Sequence, residues 1–169
     1  MGVYLIPSKI AVIGFPKAGT MSMVEWLKKK NPGAVVSRPE NIYITDNGNW
    51  SGWLNYAITR DPVKRIQSGM RYFTELRNLT VQQVIKGEGF HNERYENVGF
   101  RDCIAQSDYK RYILKFQEKW NCAVGVHKFE DLIKDKDFPH INETDYKREF
   151  TEDETNIIKD VLDRSGITY

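Results

Sequence analysis

Apolar positions fall into short runs divided by amphipathic stretches. Residues 3–6 and 10–13 are such runs, rich in β-branched side chains, and the second reads as the central strand of a sheet. Over Thr20–Lys30 the apolar Met23, Trp26 and Leu27 recur at helical spacing, and "NPG" at 31–33 stops that helix. "AVVS" at 34–37 reads as another short strand. Residues 38–53, rich in Asn, Gly and aromatics, read as a long irregular loop, a length that in a compact domain commonly carries function. Residues 56–59 form a further apolar run; Asp61 then caps, and Pro62 opens, a helix to about Arg77. Its apolar face holds Val63, Ile66, Met70 and Phe73, and its other face Arg65, Ser68 and Tyr72. Beyond it, "VQQVIK" reads as a short helix, 87–99 as a loop, 107–121 as a helix and "CAVGV" at 122–126 as a strand. A capping box, Thr151 with Glu154, opens the last helix, which runs through Ile157, Ile158, Val161 and Leu162 to Gly166. Strands alternating with helices predict an α/β fold with a mainly parallel central sheet.

The 169 residues fit one domain, 1–169, with no internal repeat or low-complexity tract. The 25 Lys and Arg are nearly balanced by 23 Asp and Glu, with no charge block, so bulk nucleic-acid binding is not expected. No run approaches a signal peptide or the ~20 apolar residues of a membrane helix, which makes the expected protein cytoplasmic, without a membrane partner. Cys103 and Cys122 share no metal-type spacing with the three histidines and read as buried thiols rather than a disulfide.

The candidate chemistry begins with "IAVIGFPKAGTMSMVEWL", residues 10–27: an apolar strand, a turn with two glycines, then a helix start. That order aims backbone N–H groups and the positive end of a helix at an anion. Gly14 and Gly19 have the spacing of a nucleoside-triphosphate loop, but Thr20 and Met21 follow Gly19 where a lysine and a magnesium-binding hydroxyl would stand. The lysine lies inside the turn, at Lys17. It still reaches a phosphate, with the amides of residues 18–22 and the hydroxyls of Thr20 and Ser22 around it. Without a ligand the same stretch is an ordinary turn with a solvated lysine. The second stretch is "RDPVKRIQS", where Arg60 ends a strand and Ser68 lies in the second turn of the next helix, positions from which both groups can hold one phosphate. Two phosphate readers that each follow a strand suggest a nucleotide phosphorylated at two positions.

Together these stretches resemble the sulfotransferases that use 3′-phosphoadenosine 5′-phosphosulfate (PAPS). Residues 16–23, "PKAGTMSM", match the family's P-K-[ST]-G-T-T-x-L, and Arg60, Pro62, Arg65 and Ser68 match its R-x-P-x-x-R-x-x-S. A softer likeness covers 107–135, which ends in "FEDLIKD". The resemblance implies a P-loop-like three-layer sandwich in which Lys17, Ala18, Gly19, Thr20, Met21 and Ser22 hold the 5′-phosphosulfate and Arg60 and Ser68 hold the 3′-phosphate. It also implies that no metal is needed and that 3′,5′-adenosine bisphosphate (PAP) is the product. Ala18 and Met21 replace hydroxyl residues of the family and offer backbone amides alone. The family's C-terminal R-K-G-x-x-G-D-W-K segment is missing, which makes the chain resemble the carbohydrate-type branch or a reduced bacterial or viral form.

Transfer to an alcohol needs a base for the hydroxyl proton. In the heparan-type branch this is a glutamate beyond the first helix, and "NPGAVVSRPENIYI" places Glu40 at that position; Asp46 and His91 are the alternatives. Tyr43, Trp50, Trp53 and Tyr95 either floor a small-molecule or carbohydrate acceptor site or serve as ordinary packing aromatics. The rival readings are a P-loop kinase or hydrolase, with Asp61 or Asp131 as a magnesium carboxylate, and a non-catalytic nucleotide-binding protein.

Overall fold

A computed structural model describes residues 2–15, 17–37, 52–87, 104, 107–141 and 147–167. Five strands form one sheet in the order β3-β1-β2-β4-β5: β1 (Gly2–Ile6), β2 (Ile10–Ile13), β3 (Val35–Ser37), β4 (Leu54–Thr59) and β5 (Gly125–Lys128). The expected mainly parallel sheet is mixed. β2 pairs parallel with β4, and β4 with β5, whereas β1 runs antiparallel to both β2 and β3. The three residues joining β1 to β2 decide this, since so short a link closes only a hairpin and a parallel return needs a dozen residues or more. The last strand starts three residues later than the expected "CAVGV" and overlaps it at Gly125 and Val126: Tyr56 pairs with Gly125 and Thr59 with Lys128. As an edge strand it is mostly exposed, so its position follows the ladder with β4 and not an apolar run.

The described residues divide into two compact units, Met1–Arg60 with Tyr109–Glu143, and Asp61–Asp108 with Thr144–Tyr169. The first contains the sheet, α1 (Thr20–Lys30), α4 (Tyr109–Trp120) and the short α5 (Phe129–Leu132). Leu5, Val12, Met23, Val24, Ala57 and Ile58 are fully buried in its core. α1 ends on three lysines, which suit the negative end of its dipole, and Asn31 Nδ2 donates to the Leu27 carbonyl at 2.8 Å to close the last turn.

The second unit is helical: α2 (Pro62–Arg71), a π-helical turn (Tyr72–Leu76), α3 (Val81–Ile85) and α6 (Glu152–Arg164). The expected helix to Arg77 thus widens over its last residues, where Thr74 Oγ1 donates to the Met70 carbonyl at 3.0 Å. Capping boxes open α3 (Thr80 with Gln83) and α6 (Thr151 with Glu154), the latter as expected. Met70, Val81, Val84, Ile158 and Leu162 form the core of this unit.

Arg65, expected on the polar face of its helix, is instead 2% exposed, and its Nη2 donates to Ser107 Oγ at 2.7 Å. It ties α2 to the segment before α4. Replacing Arg65 by methionine keeps the stem and removes this donor from a buried hydroxyl. The expected cost is about 1–3 kcal/mol, read as a lower midpoint in urea unfolding.

No helix among the described residues is long and apolar enough to cross a membrane.

Candidate functional site

Three adjacent parallel strands, β2, β4 and β5, end at the same edge of the sheet, and each is followed directly by a residue or turn with chemistry. β2 leads through Gly14 and Phe15 to the Lys17 turn, β4 leads to Arg60, and β5 leads to Phe129. Carboxyl ends of parallel strands are where α/β sheets place ligands.

The Lys17 turn is tight and left-handed at two positions. Lys17 has φ +63° and Gly19 φ +92°, and the amide of Ala18 donates back to the Phe15 carbonyl at 3.1 Å. Ala18 is fully buried. Gly19 is the N-cap of α1 and supplies no side-chain cap, and no acid stands in the first turn. The amides of Thr20, Met21 and Ser22 have no acceptor within the helix, as for any first turn, so this end carries partial positive charge.

Arg60 reaches across from β4. Its Nη1 donates to the Lys17 carbonyl at 3.1 Å, joining residues 43 apart in sequence. Two cations are thereby brought beside the start of α1. Lys17 remains exposed as a residue, yet partial desolvation of its ammonium, and secondarily the Arg60 charge, hold its pKa below the usual lysine range. Both effects disfavour the charged form, and a bound anion relieves the second.

The two hydroxyls of the turn have structural duties. Thr20 Oγ1 donates to the Phe15 carbonyl at 3.3 Å, which closes the turn from inside. Ser22 Oγ accepts from the Ile141 amide at 3.0 Å and donates to the Ile141 carbonyl at 3.3 Å, pinning 138–141 to the start of α1. In this arrangement the turn offers an anion the Lys17 ammonium and backbone amides.

Phe129 is a member of the site that the motif comparison did not single out. The Arg60 guanidinium carbon lies 4.9 Å from the centre of its ring. A Cβ built on Gly19 would stand 2.5 Å from its Cδ2, so the ring closes directly on the glycine backbone. The "FEDL" segment was visible in the sequence, but only the ladder between β4 and β5 shows that its phenylalanine emerges beside Arg60.

Lys17, Ala18, Gly19, Thr20, Met21, Ser22 and Arg60 therefore belong to one unit, whereas Ser68 is a half-buried residue of α2 in the other. The proposed bases Glu40, Asp46 and His91, and the aromatics Tyr43, Trp50 and Tyr95, lie outside the described residues. Trp53 stands just before β4, at the opposite end of that strand from Arg60, and roughly 20 Å away at ~3.3 Å of rise per residue. There it lines a cavity of about 380 Å³ with Asn55, Tyr56, Asn121 and Cys122. It floors that cavity, not the Lys17 edge. Burial pushes the Cys122 thiol up from its ordinary pKa, which disfavours a reactive thiolate.

The two carboxylates of the kinase alternative have local tasks. Asp61 Oδ1 accepts from the Lys64 amide at 2.8 Å, as a cap of α2, and Asp131 pairs with Lys134 at 2.7 Å, which lowers its pKa. Comparison with family models, curated proteins and solved structures returns no match.

Proposed function

We propose that this chain binds a nucleotide carrying phosphates at two positions and transfers a sulfuryl group from PAPS to an acceptor hydroxyl. The observation that carries the reading is the Arg60–Lys17 contact, which sets the leading residues of the two phosphate motifs side by side at the ends of adjacent parallel strands. Their spacing in sequence was the basis of the likeness; their proximity is independent of it. The parallel β2-β4-β5 ladder and the glycine-bearing turn likewise support a P-loop-like sandwich.

The residues present fit such an anion. Lys17 and the amides of 19–22 would hold the 5′ group, the Ala18 amide being engaged by the Phe15 carbonyl, and Arg60 would hold the 3′-phosphate. When bound, the donor supplies a sulfuryl group on a phosphate leaving group. Lys17 then places a cation where negative charge grows, and no metal ion enters this reading. Glu40 is the proposed base for the acceptor proton, with Asp46 and His91 as the alternatives. A carbohydrate or another small hydroxyl compound is the proposed acceptor.

Thermal shift tests the donor class. PAP at ~100 times its Kd should add about 2.7 kcal/mol of stability, and ATP with magnesium much less. Stabilisation by ATP with magnesium and none by PAP would transfer the site to the kinase reading. Replacing Arg60 by alanine should weaken PAP by about 10–100-fold, the range for a charged hydrogen-bonding partner, and should affect adenosine 5′-phosphate far less. Equal losses for both nucleotides would remove Arg60 from the 3′-phosphate.

A further inference from the structure

We infer that Phe129 is a positioning residue of this anion site: its ring is both the wall behind Gly19 and the platform of the Arg60 guanidinium, and it fixes how far apart the two cations stand. The inference rests on the reading of the Lys17 turn and Arg60 as an anion site, and it names the part that holds them in register.

The ladder between β4 and β5 ends with Thr59 opposite Lys128, so Arg60 and Phe129 leave the sheet at the same level. The guanidinium carbon then comes to 4.9 Å from the ring centre. A planar cation over an aromatic face is attracted by the ring quadrupole, and its N–H groups point outward in its own plane. One of them donates to the Lys17 carbonyl at 3.1 Å.

The other side of the platform is equally constrained. A methyl group on Gly19 would come within 2.5 and 2.7 Å of two ring carbons, which leaves no gap between the ring and the turn. Phe138, itself 2% exposed, meets the ring edge-on at 6.1 Å between centroids. Phe129 is therefore held by the core on one flank and by the glycine on another, while Arg60 lies across it. An arginine side chain has several rotatable bonds, and such a platform removes much of the freedom that ligand binding would otherwise have to remove.

Since Phe129 carries no charge and offers no hydrogen bond, it can act on an anion only through what it touches, the Arg60 guanidinium or the Gly19 turn, and the inference assigns the effect to Arg60. A double-mutant cycle read by calorimetry tests this, with inorganic pyrophosphate as the probe because its two phosphates can engage the Lys17 turn and the adjacent Arg60 together, as a single 5′-phosphate does not. Phe129→Leu should weaken pyrophosphate by about 5–10-fold, in line with the loss of one half-buried cation–ring contact. In the Arg60→Ala background the same change should cost less than about twofold. Phe129→Tyr, which keeps the ring, should bind within about twofold of the wild type. Phe129→Met, which keeps the bulk and drops the ring, should behave as Phe129→Leu does, so the cycle stands if one variant folds poorly.

Additive losses in the double variant, or a Phe129→Leu protein that binds as the wild type does, would overturn the inference. Coupling on pyrophosphate while PAP binds no more tightly than pyrophosphate would leave Phe129 in its role and remove the sulfotransferase reading. Tight PAP binding without coupling would do the reverse. A wild type that binds neither anion overturns both.

Discussion

On the proposed sulfotransferase reading, replacing Lys17 by methionine should lower sulfuryl transfer about 10³-fold while leaving PAP affinity within about tenfold of the wild type. The asymmetry follows from the turn. Its left-handed backbone at Lys17 is held from outside by Arg60, which bonds the residue's carbonyl and not its side chain. Trimming the ammonium therefore leaves the turn, the first-turn amides of α1 and Arg60 in place to bind a ground-state phosphate. What disappears is the cation at the point where the leaving group gains charge, an interaction that strengthens only as the bond breaks. Single-turnover rates set against calorimetric affinities separate the two effects. A variant with near-normal turnover would exclude Lys17 from the chemistry.

The same lysine gives a pH signature with opposite signs for stability and transfer. Its folded-state pKa lies below the ordinary value because its ammonium is partly desolvated and then because Arg60 repels it. The unfolded chain therefore binds more protons through that window, and this group makes the ligand-free protein more stable as pH rises past the folded pKa. The proposed transfer needs the charged form and should fall over the same rise. The Lys17→Met protein should lack both trends, which denaturant unfolding and pH–rate profiles would show.

The sequence made the main helices and the succession of strands and helices along the chain legible, because periodicity reports which face of a segment is buried. The antiparallel β1 was legible too: runs at 3–6 and 10–13 leave three residues between them, enough for a hairpin alone, and only the alternation of later elements suggested otherwise. The place of β5 was not legible, since an exposed edge strand such as "GVHK" has little apolar pattern and is defined by its partner. Arg65 shows a different limit. A buried arginine that bonds Ser107 looks in sequence like any polar-face cation, because that partner lies 42 residues away. At the site, residue types announced Lys17 and Arg60, but the assignment of Thr20 and Ser22 hydroxyls to backbone carbonyls and amides depends on tertiary contacts that spacing does not encode. Phe129 was hidden for a related reason: it carries no chemistry of its own and matters through what it touches.

Gly19→Ala should be the most disruptive single-methyl change in the sheet unit, costing about 3–5 kcal/mol of stability and at least ~100-fold in anion affinity. Two independent causes add. At φ +92° an L side chain is strained whatever the space around it, a cost of about 1–3 kcal/mol. The added methyl would also press on Phe129 at 2.5 Å, and Ile58 Cδ1 stands 3.4 Å away on another side. The ring cannot yield freely because Phe138 meets its edge, so overpacking contributes a further ~1–3 kcal/mol. Any movement that does occur carries the Arg60 platform with it, which is why affinity should fall along with stability. The causes separate in one construction. Adding Phe129→Leu to Gly19→Ala makes room for the methyl and leaves the backbone strain, so the pair should regain part of the lost stability, while its affinity should stay at or below that of Phe129→Leu alone. Affinity in the double variant above that of Phe129→Leu alone would mean that the glycine acts on the anion through the turn, without Arg60 and its ring.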